Sequence, residues 1–463
     1  MLLTVLTALA LLNIAATAGE LDTSTLNKSD NGHPFCSSSL KGVQPYAREI
    51  VDLTQALQTA HGIPDGACLF NPALIRVGGN VFSTFVRVYV AADKERRCVP
   101  GQFDRAPFMD DWNGTQASML AVLRIRRKQS GGTQTTLMGH RYFNINYEDG
   151  RLFRDNHGRM FIYLAVPFGA FGDVAATANT VYRVYITCRR LPNLLCDAKL
   201  GPPRLLRYDK SLAWEKNWVP WNGTTLMSYP QAGSFGPHSV FNWSSYTEPI
   251  PHTRFTSVAN QTFFSVWQAT FGKLIELAGG TPAILEPSRE SYLAVGHLRV
   301  HPGCLHPHSI SGLGKLVGTD VKPNCTHMLA LPKRIKLELP FRPFTHGHAD
   351  GNTSSHYLVD FAFFFYRFSA FPPYNVTHLS HGILPPSEGH VGIAFPSGLE
   401  RLEDDYILSY GDADQAARLL FLEQRDIDAL LIPLPDMLRD ISSFSVCTLP
   451  LAPAKKRAPG IRL

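Results

Sequence analysis

Five segments of the chain share one layout, in which an extended limb leads through a polar turn into a second, mainly apolar limb. Residues 142–166 show this layout most fully, with a turn at 155–159 and an apolar run at 160–166. A short apolar run after a Gly-containing polar loop is typical of a hairpin strand inside a sheet. The first limbs of the five copies are marked by Asn71, Glu148, Glu215, Gly279 and Phe395, which are separated by 77, 67, 64 and 116 residues.

This recurrence predicts the fold class. Repeated sheet units indicate radial blades whose strands start at a central channel, and five copies predict an all-β, five-bladed β-propeller with an N-terminal helical segment and loop insertions. The alternative is one large β-sandwich in which the hairpins are unrelated. The 33 prolines and 36 glycines among 463 residues argue against a helical protein, and this length permits a single large all-β domain.

The ends of the chain differ from its middle. Residues 1–18 have the apolar run and small-residue end of a secretory signal peptide, but no Lys or Arg precedes the run, so an uncleaved signal anchor is the rival interpretation. We expect 19–70 to form an N-terminal extension with one helix, at 46–61, because apolar residues recur there before Gly62 and Pro64. The propeller would span 71–447 with an insertion at 301–356, and 448–463 would be a solvated basic tail.

Cysteines and glycosylation sequons both predict an oxidising, extracellular or luminal compartment. All eight cysteines follow residue 18, and the near pairs Cys188 with Cys196 and Cys304 with Cys325 are the first candidates for disulfides. We therefore expect a secreted glycoprotein or a resident of the endoplasmic reticulum or Golgi lumen. Asn-x-Ser/Thr triplets that lack an intervening proline begin at Asn27, Asn113, Asn222, Asn242, Asn260, Asn324, Asn352 and Asn375.

Several ligand classes are disfavoured. The net charge of +6 comes from scattered basic residues, which excludes nucleic acid as the expected partner. The cysteines lack the close spacing of a structural zinc site. His346, His348 and Asp350 can be drawn as a metal site, but two near histidines in a Gly-rich loop are more often simply exposed. We expect no metal and no cofactor, and a membrane partner only if the N-terminal segment is uncleaved.

Charged residues in the second hairpin are the strongest candidates for a functional site. Glu148, Asp149 and Arg151 stand where a buried strand normally has apolar residues, so they either line a wet cavity or pair with one another. Since Glu148 and Asp149 are adjacent on a strand, we expect them to point to opposite faces. They therefore make a poor acid–base pair for inverting hydrolysis, which needs two carboxylates across the glycosidic bond.

Cations and aromatic residues at the other hairpins extend the candidate site. Arg151, Lys216 and His297 together would make a cationic pocket for a phosphate group. Each also has a plainer interpretation: Arg151 as the partner of Glu148, Lys216 as a solvated lysine, and His297 as a core histidine. The aromatic residues that would stack on a sugar ring, or simply fill the core, are Trp218, Trp221 and Tyr410.

Two motifs resemble those of a known family. The segment Tyr147-Glu148-Asp149-Gly150-Arg151 resembles the Glu-Asp-Pro-Arg motif, and Tyr410-Gly411-Asp412-Ala413-Asp414 resembles the Tyr-Gly-Ala-Ala-Asp motif, of the β-mannoside phosphorylases and hydrolases of glycoside hydrolase family 130. Residues 215–218, 279–282 and 407–411 are similar to segments of related eukaryotic and viral proteins of glycosyltransferase type. The resemblance covers roughly residues 71–431 by motif order.

The resemblance implies a five-bladed propeller with a sugar site in its central funnel. Asp149 would be the proton donor, and Asp414 would hold the sugar at the cleavage subsite. Gly150 replaces the proline of the family motif, which predicts a looser turn under the carboxylate, and Asp412 adds a charge where the family has alanine. The further residues that we expect to bind substrate are Glu148, Arg151, Lys216, Asn217, His297, Tyr410 and Asp412.

Two classes of function follow. The first is a carbohydrate-active enzyme of the secretory pathway that carries out glycosyl transfer or phosphorolysis on mannoside-type glycans, with a sugar phosphate or nucleotide sugar as the second reactant. Transfer or phosphorolysis is favoured over hydrolysis, because it needs one acid or base and a cationic pocket. The second class is a non-catalytic glycan-binding or structural glycoprotein, which Gly150 and the weak case for a second carboxylate favour.

Overall fold

The structure of the chain is a computed structural model. It describes residues 35–90, 115–128, 132–143, 147–166, 180–190, 196–202, 204–205, 217–221, 224, 226–229, 238–242, 258–271, 275–300, 343–347, 353–357, 360–386, 394–412, 415–441 and 444–453. Within these ranges the protein is all-β, as predicted, with strands in six sheets and few helices. The described helices include none that is long and apolar enough to cross a membrane. The predicted signal segment lies outside the described residues.

The first two sheets are antiparallel and follow one another along the chain. The first has the order β2-β3-β4-β5, and the second has the order β10-β8-β7-β6 with β9 also paired to β8. Their strands are β2 (Cys68–Gly78), β3 (Val81–Val90), β4 (Thr115–Arg127), β5 (Thr133–Phe143), β6 (Glu148–Arg154), β7 (Met160–Val166), β8 (Thr180–Arg190), β9 (Cys196–Leu200) and β10 (Arg204–Leu205).

The third and fourth sheets continue the series. The third is the small sheet β11-β12-β13, and the fourth follows the path β14-β16-β19-β20-β25, with β15 paired to β16, β21 paired to β19, and β26 paired in parallel to β21. Their strands are β11 (Val219–Pro220), β12 (Leu226–Tyr229), β13 (Ser239–Asn242), β14 (Ile275–Ala278), β15 (Ile284–Leu285), β16 (Ser291–Val300), β19 (Asp360–Ser369), β20 (Val376–Leu379), β21 (Gly382–Leu384), β25 (Ile432–Pro433) and β26 (Val446–Thr448).

The fifth sheet uses both ends of the chain. Its three C-terminal strands are antiparallel: β22 (Ala394–Leu402), β23 (Asp405–Asp412) and β24 (Ala416–Glu423). Strand β1 (Glu49–Asp52) pairs with the outer edge of β24. A disulfide joins Cys36 to Cys447. The N-terminal segment is therefore held to the fifth sheet by strand pairing and to β26 of the fourth sheet by a covalent bond.

The expected helix at 46–61 was too long. Residues 49–52 form strand β1, and helix α1 spans only Thr54–Gln58. The neighbouring strand β24 makes this segment a strand, because the backbone of Ile50 and Val51 pairs with that of Leu420 and Leu419 on β24. The later helices within the described ranges are α2 (Val258–Phe271), α3 (Gln424–Leu430) and α4 (Leu434–Arg439).

The predicted insertion at 301–356 is described only in part. Its described portion belongs to the two-stranded sheet of β17 (Pro343–Gly347) and β18 (Thr353–Tyr357). His346 lies on β17, whereas His348, Asp350, Cys304 and Cys325 lie outside the described residues. Among the residues that the structure describes, no group of three or more side chains could hold a metal ion.

Apolar cores lie between neighbouring sheets. Ala73 and Phe85 of the first sheet pack with Leu152 and Ile162 of the second. Three further cores fill the junctions between the third and fourth, fourth and fifth, and fifth and first sheets, and Trp221, Leu293 and Leu402 are fully or almost fully buried in them. Strand β2 contacts both β6 and β22, and β22 contacts β16. The first strands of the first, second and fifth sheets therefore contact one another, and β16 of the fourth sheet contacts β22.

Candidate functional site

The starts of these inner strands converge on one buried cluster. Asn71 and Asp149 lie near the starts of β2 and β6, and Asn217 lies just before β11. Each has a positive φ, of 50°, 49° and 70° respectively. A left-handed backbone is uncommon for residues other than glycine, and such residues are concentrated at functional sites. Three of them at the same end of three successive sheets mark this cluster as the candidate site.

Glycines allow the inner strands to approach one another here. A β-carbon on Gly279 would collide with the backbone carbonyl of Asn217, and one on Gly411 would collide with the side chain of Asn71. The first contact joins the third and fourth sheets, and the second joins the first and fifth. A residue with a side chain at either position would push the strand starts apart.

Arg151 is the hub of the cluster. Its side chain is 1% exposed, and its guanidinium donates from Nε to the carbonyl of Gly280, from Nη1 to the carbonyl of Asp149 at 2.6 Å, and from Nη2 to Oδ1 of Asn217 at 3.4 Å. The guanidinium also lies 5.0 Å from the centre of the Phe395 ring. Burial lowers the pKa of Arg151 to about 10, against an opposing effect of Asp149, so the side chain is charged at neutral pH.

These contacts correct two interpretations of Arg151. No described ion pair joins Arg151 to Glu148. The Glu148 carboxylate instead lies 3.5 Å from the guanidinium of Arg87 on β3. Arg151 is also poorly placed to bind phosphate, since its donors point at backbone carbonyls and it is closed off from solvent. Buried carbonyls need donors, and a planar guanidinium with five N–H groups satisfies several at once.

Asp149 is held by two residues of the first sheet. Its Oδ1 accepts from Nδ2 of Asn71 at 3.2 Å and from Nη1 of Arg87 at 3.4 Å. The side chain of Asp149 is only 5% exposed and that of Arg87 is 14% exposed, so little solvent screens the pair. An opposite charge and donated hydrogen bonds both favour the ionised carboxylate.

Glu148 and Asp149 do not point to opposite faces. Both carboxylates reach Arg87, at 3.5 and 3.4 Å respectively. The alternation rule fails because the pairing of β6 with β7 shifts register between Glu148 and Arg151, and because Asp149 has a left-handed backbone. Arg87 also donates to Oε1 of Gln116 at 3.1 Å and lies over the ring of Phe70.

The backbone at Gly150 is not loose, contrary to the expectation from the replacement of the motif proline by glycine. A β-carbon there would lie 2.5 Å from Cδ1 of Phe85 and 3.2 Å from Cγ2 of Ile162. The packing of the core between the first and second sheets therefore requires that residue 150 have no side chain. The same packing fixes the backbone next to Asp149.

His297 reaches the cluster indirectly. It is 1% exposed on β16, and its ring centre lies 4.9 Å from that of Phe395, the same ring that Arg151 contacts. Its burial agrees with the plainer interpretation of a core histidine.

Tyr410 and Asp412 lie on β23 at the edge of the cluster. Both are 0% exposed. The Tyr410 ring packs edge-on against Phe363. Burial, and to a lesser extent the negative charge of Asp412, raises the pKa of Tyr410 well above its ordinary value. Asp412 accepts from Nε of Arg418 at 2.7 Å. Asp412 is thus an ion-paired residue of the sheet rather than an open sugar ligand.

Two of the predicted site residues, Lys216 and Asp414, lie outside the described residues. Conversely, no sequence pattern assigned a role to Arg87, and Asn71 served only to mark a hairpin. A signal was present, because Arg87 interrupts the apolar run of residues 85–90. Its partner was hidden, since only the packing of β3 beside β6 brings it to Asp149.

The known proteins that are similar to this chain are solved structures. No protein-family model matches the chain, and no curated protein matches it. Among solved structures, it is similar to β-1,2-mannobiose phosphorylase from Listeria innocua, with 12% identity over 84% of this chain and 99% of that chain and a TM-score of 0.42. It is also similar to a GDP-Man-dependent mannosyltransferase from Leishmania mexicana, with 11% identity over 81% and 89% of the two chains and a TM-score of 0.38.

A third similar structure was described with the GH130 family of mannoside phosphorylases, which contains glycoside hydrolases that target β-1,2 mannosidic linkages in Candida mannan. Identity there is 10% over 90% of this chain and 100% of that chain, with a TM-score of 0.40. These solved structures are of the kinds of protein that the motifs of this chain resemble.

Proposed function

We propose that the protein is a carbohydrate-active protein that transfers a glycosyl group, of mannosyl type, to a sugar hydroxyl at the cluster of Asn71, Arg87, Glu148 and Asp149. The observation that carries the proposal is the buried carboxylate of Asp149, held by Asn71 at 3.2 Å and Arg87 at 3.4 Å. The mannosyl type follows from the resemblance of the motifs.

We propose that the five larger sheets are the blades of a propeller around this cluster. Cores at four junctions between successive sheets, including that between the fifth and the first, support a closed ring. At the remaining junction, Arg151 of the second sheet donates to Asn217, just before the third. In such a ring the inner strand starts surround one funnel, where sugars would enter.

The ion pair of Asp149 with Arg87 favours transfer. In transfer, the acceptor hydroxyl oxygen bonds to the anomeric carbon, the bond from that carbon to the phosphate leaving group breaks, and the hydroxyl proton passes to a base. A carboxylate kept ionised by Arg87 suits the base. Phosphorolysis and hydrolysis need a proton donor instead, which the same ion pair disfavours.

Hydrolysis lacks support for a further reason. The inverting reaction needs a second carboxylate to activate water. Of the described candidates, Asp412 is paired with Arg418, and Glu148 shares Arg87 with Asp149. The reactants that we propose are therefore a sugar phosphate or nucleotide sugar as donor and a glycan as acceptor, in the lumen of the secretory pathway.

An assay with the full chain tests the proposal. Purified protein is incubated with a nucleotide-mannose or mannose 1-phosphate and short mannosides, and product is measured by mass spectrometry. Turnover that is lost in Asp149→Asn and retained in the control Asp404→Asn, on the exposed turn between β22 and β23, supports transfer. Equal activity in wild type and Asp149→Asn would refute the role of Asp149.

A second candidate function is glycan binding without chemistry. The observation that favours it is the burial of Arg151 and His297, which withdraws two of the three cations proposed for phosphate. Saturable binding of mannosides, lost in Asp149→Asn, with no product from any sugar donor, would favour this candidate over transfer.

A further inference from the structure

Two glycosylation sequons whose side chains the structure describes differ in how far their asparagines are exposed to solvent. Asn260-Gln261-Thr262 lies in helix α2, and Asn375-Val376-Thr377 lies where the chain turns from β19 into β20. A glycan is bulky and hydrated, so the asparagine nitrogen that carries it must face solvent in the folded protein. The two asparagines differ in this respect.

Asn260 is closed off. It is 1% exposed, on the buried side of a helix whose Phe263 and Trp267 are also at most 1% exposed. A sugar on its side-chain nitrogen would have to displace the core between the third and fourth sheets. The folded protein thus has no room for a glycan at this sequon.

Asn375 is open on one side. Its backbone carbonyl accepts from the N–H of Ser369 at 2.8 Å, which fixes the residue at the end of the hairpin. Its Oδ1 is buried, whereas its Nδ2 is neither among the buried unpartnered atoms nor engaged in a hydrogen bond with the described residues. Asn375 is half-buried, and the nitrogen that would carry the sugar is therefore not fully closed off from solvent.

An exposed aromatic ring stands in the same turn. Phe371 is 61% exposed, and the adjacent Pro372 and Pro373 are exposed as well. The carbonyl of Phe371 accepts from the N–H of Tyr374 at 2.8 Å, so the turn that holds Phe371 leads directly into Asn375. A sugar has an apolar ring face that packs on aromatic rings, and such a contact would cover an apolar surface that otherwise faces water.

The turn lies away from the Asp149 cluster. Ser369, at the end of β19, pairs with Ser291 at the start of β16, whereas His297 near the cluster lies six residues further along β16. A glycan at the turn would leave the candidate site open.

We propose that Asn375 carries an N-linked glycan that covers Phe371, and that Asn260 carries none. This inference rests on the proposed secretory location, but not on the chemistry of Asp149. In a secretory eukaryotic host, the full chain is expressed, and glycopeptides are mapped by mass spectrometry after enzymatic deglycosylation in heavy-oxygen water. We expect label at Asn375 and none at Asn260.

Matched variants complete the test. Thr377→Ser keeps both the sequon and the hydroxyl that bonds to the Arg367 carbonyl, and is expected to retain the glycan, whereas Thr377→Ala is expected to lose it. Modification of other sequons with Asn375 bare, or label at Asn260 in folded protein, would overturn this proposal alone. A chain with no modified sequon would overturn both the proposal and the secretory location.

Discussion

The side-chain amide of Asn71 donates a hydrogen bond to the carboxylate of Asp149 across 3.2 Å, although 78 residues separate them in the chain. The contact joins the inner strand starts of the first and second sheets. The amide oxygen, Oδ1 of Asn71, is buried and has no hydrogen-bond partner among the described residues. A buried acceptor without a donor is costly, so the contact with Asp149 is retained at an energetic cost.

Arg87→Lys tests the ion pair with Asp149. Lysine keeps the charge but cannot reach Glu148, Asp149 and Gln116 together. We expect transfer to fall roughly ten- to hundredfold, since a charge-assisted hydrogen bond contributes about 1.5–3 kcal/mol. Arg439→Lys, on the surface, is the control, and an unchanged rate of transfer in Arg87→Lys would contradict the role of Arg87.

Arg151→Met tests whether the buried arginine is structural. The variant keeps much of the volume but leaves the carbonyls of Gly280 and Asp149 without their donor. We expect a loss of about 3 kcal/mol or more in the free energy of unfolding, because each unsatisfied buried group costs about 1–3 kcal/mol. Urea unfolding measures it, with exposed Arg425→Met as control. Native stability with loss of phosphate binding alone would show that Arg151 is a ligand instead.

Gly150→Ala tests the packing beneath Asp149. The added methyl group meets Phe85 and Ile162, and overpacking of a core costs about 1–3 kcal/mol. Phe85→Leu should offset part of that cost in the double variant, which a double-mutant cycle measures. Gly78→Ala, where a β-carbon meets no atom within 4 Å, is the matched control. Additive effects of the two substitutions would argue against the contact.

Glu400→Gln tests a titratable group on β22. Burial raises the pKa of Glu400 to about 7, although hydrogen bonds from the backbone of Arg76 and Arg401 and the charges of Arg154 and Arg76 oppose the rise. Because the folded-state pKa lies above the unfolded one, the associated stability is full below the ordinary carboxyl range and is lost as the pH rises through about 7.

We therefore expect the melting temperature of the wild type, relative to that of Glu400→Gln, to fall between pH 6 and pH 8. Thermal unfolding of both proteins at the two pH values measures the difference, and other titrating groups cancel in the comparison. Parallel pH dependence in the two proteins would show that Glu400 does not titrate in this range.

Local patterns predicted the hairpins well because their signals are short-range. Met160–Val166 is a strand after a polar turn, as its apolar run indicates, and it pairs antiparallel with the limb before it. Local patterns failed where a distant partner competes. Ile50 and Val51 suit a helix pattern or a strand, and the free edge of β24 decides for the strand.

The candidate site shows the same division. The amino-acid order alone identified Asp149 and Arg151 as charges out of place in an apolar strand, and its motifs indicated the family resemblance. Only the tertiary structure decided that Arg151 binds backbone carbonyls, that Arg87 holds both carboxylates, and that Gly150 is required by Phe85. The physical reason is that charge and hydropathy patterns are properties of each segment, whereas the partner of a buried polar group depends on which segments pack together.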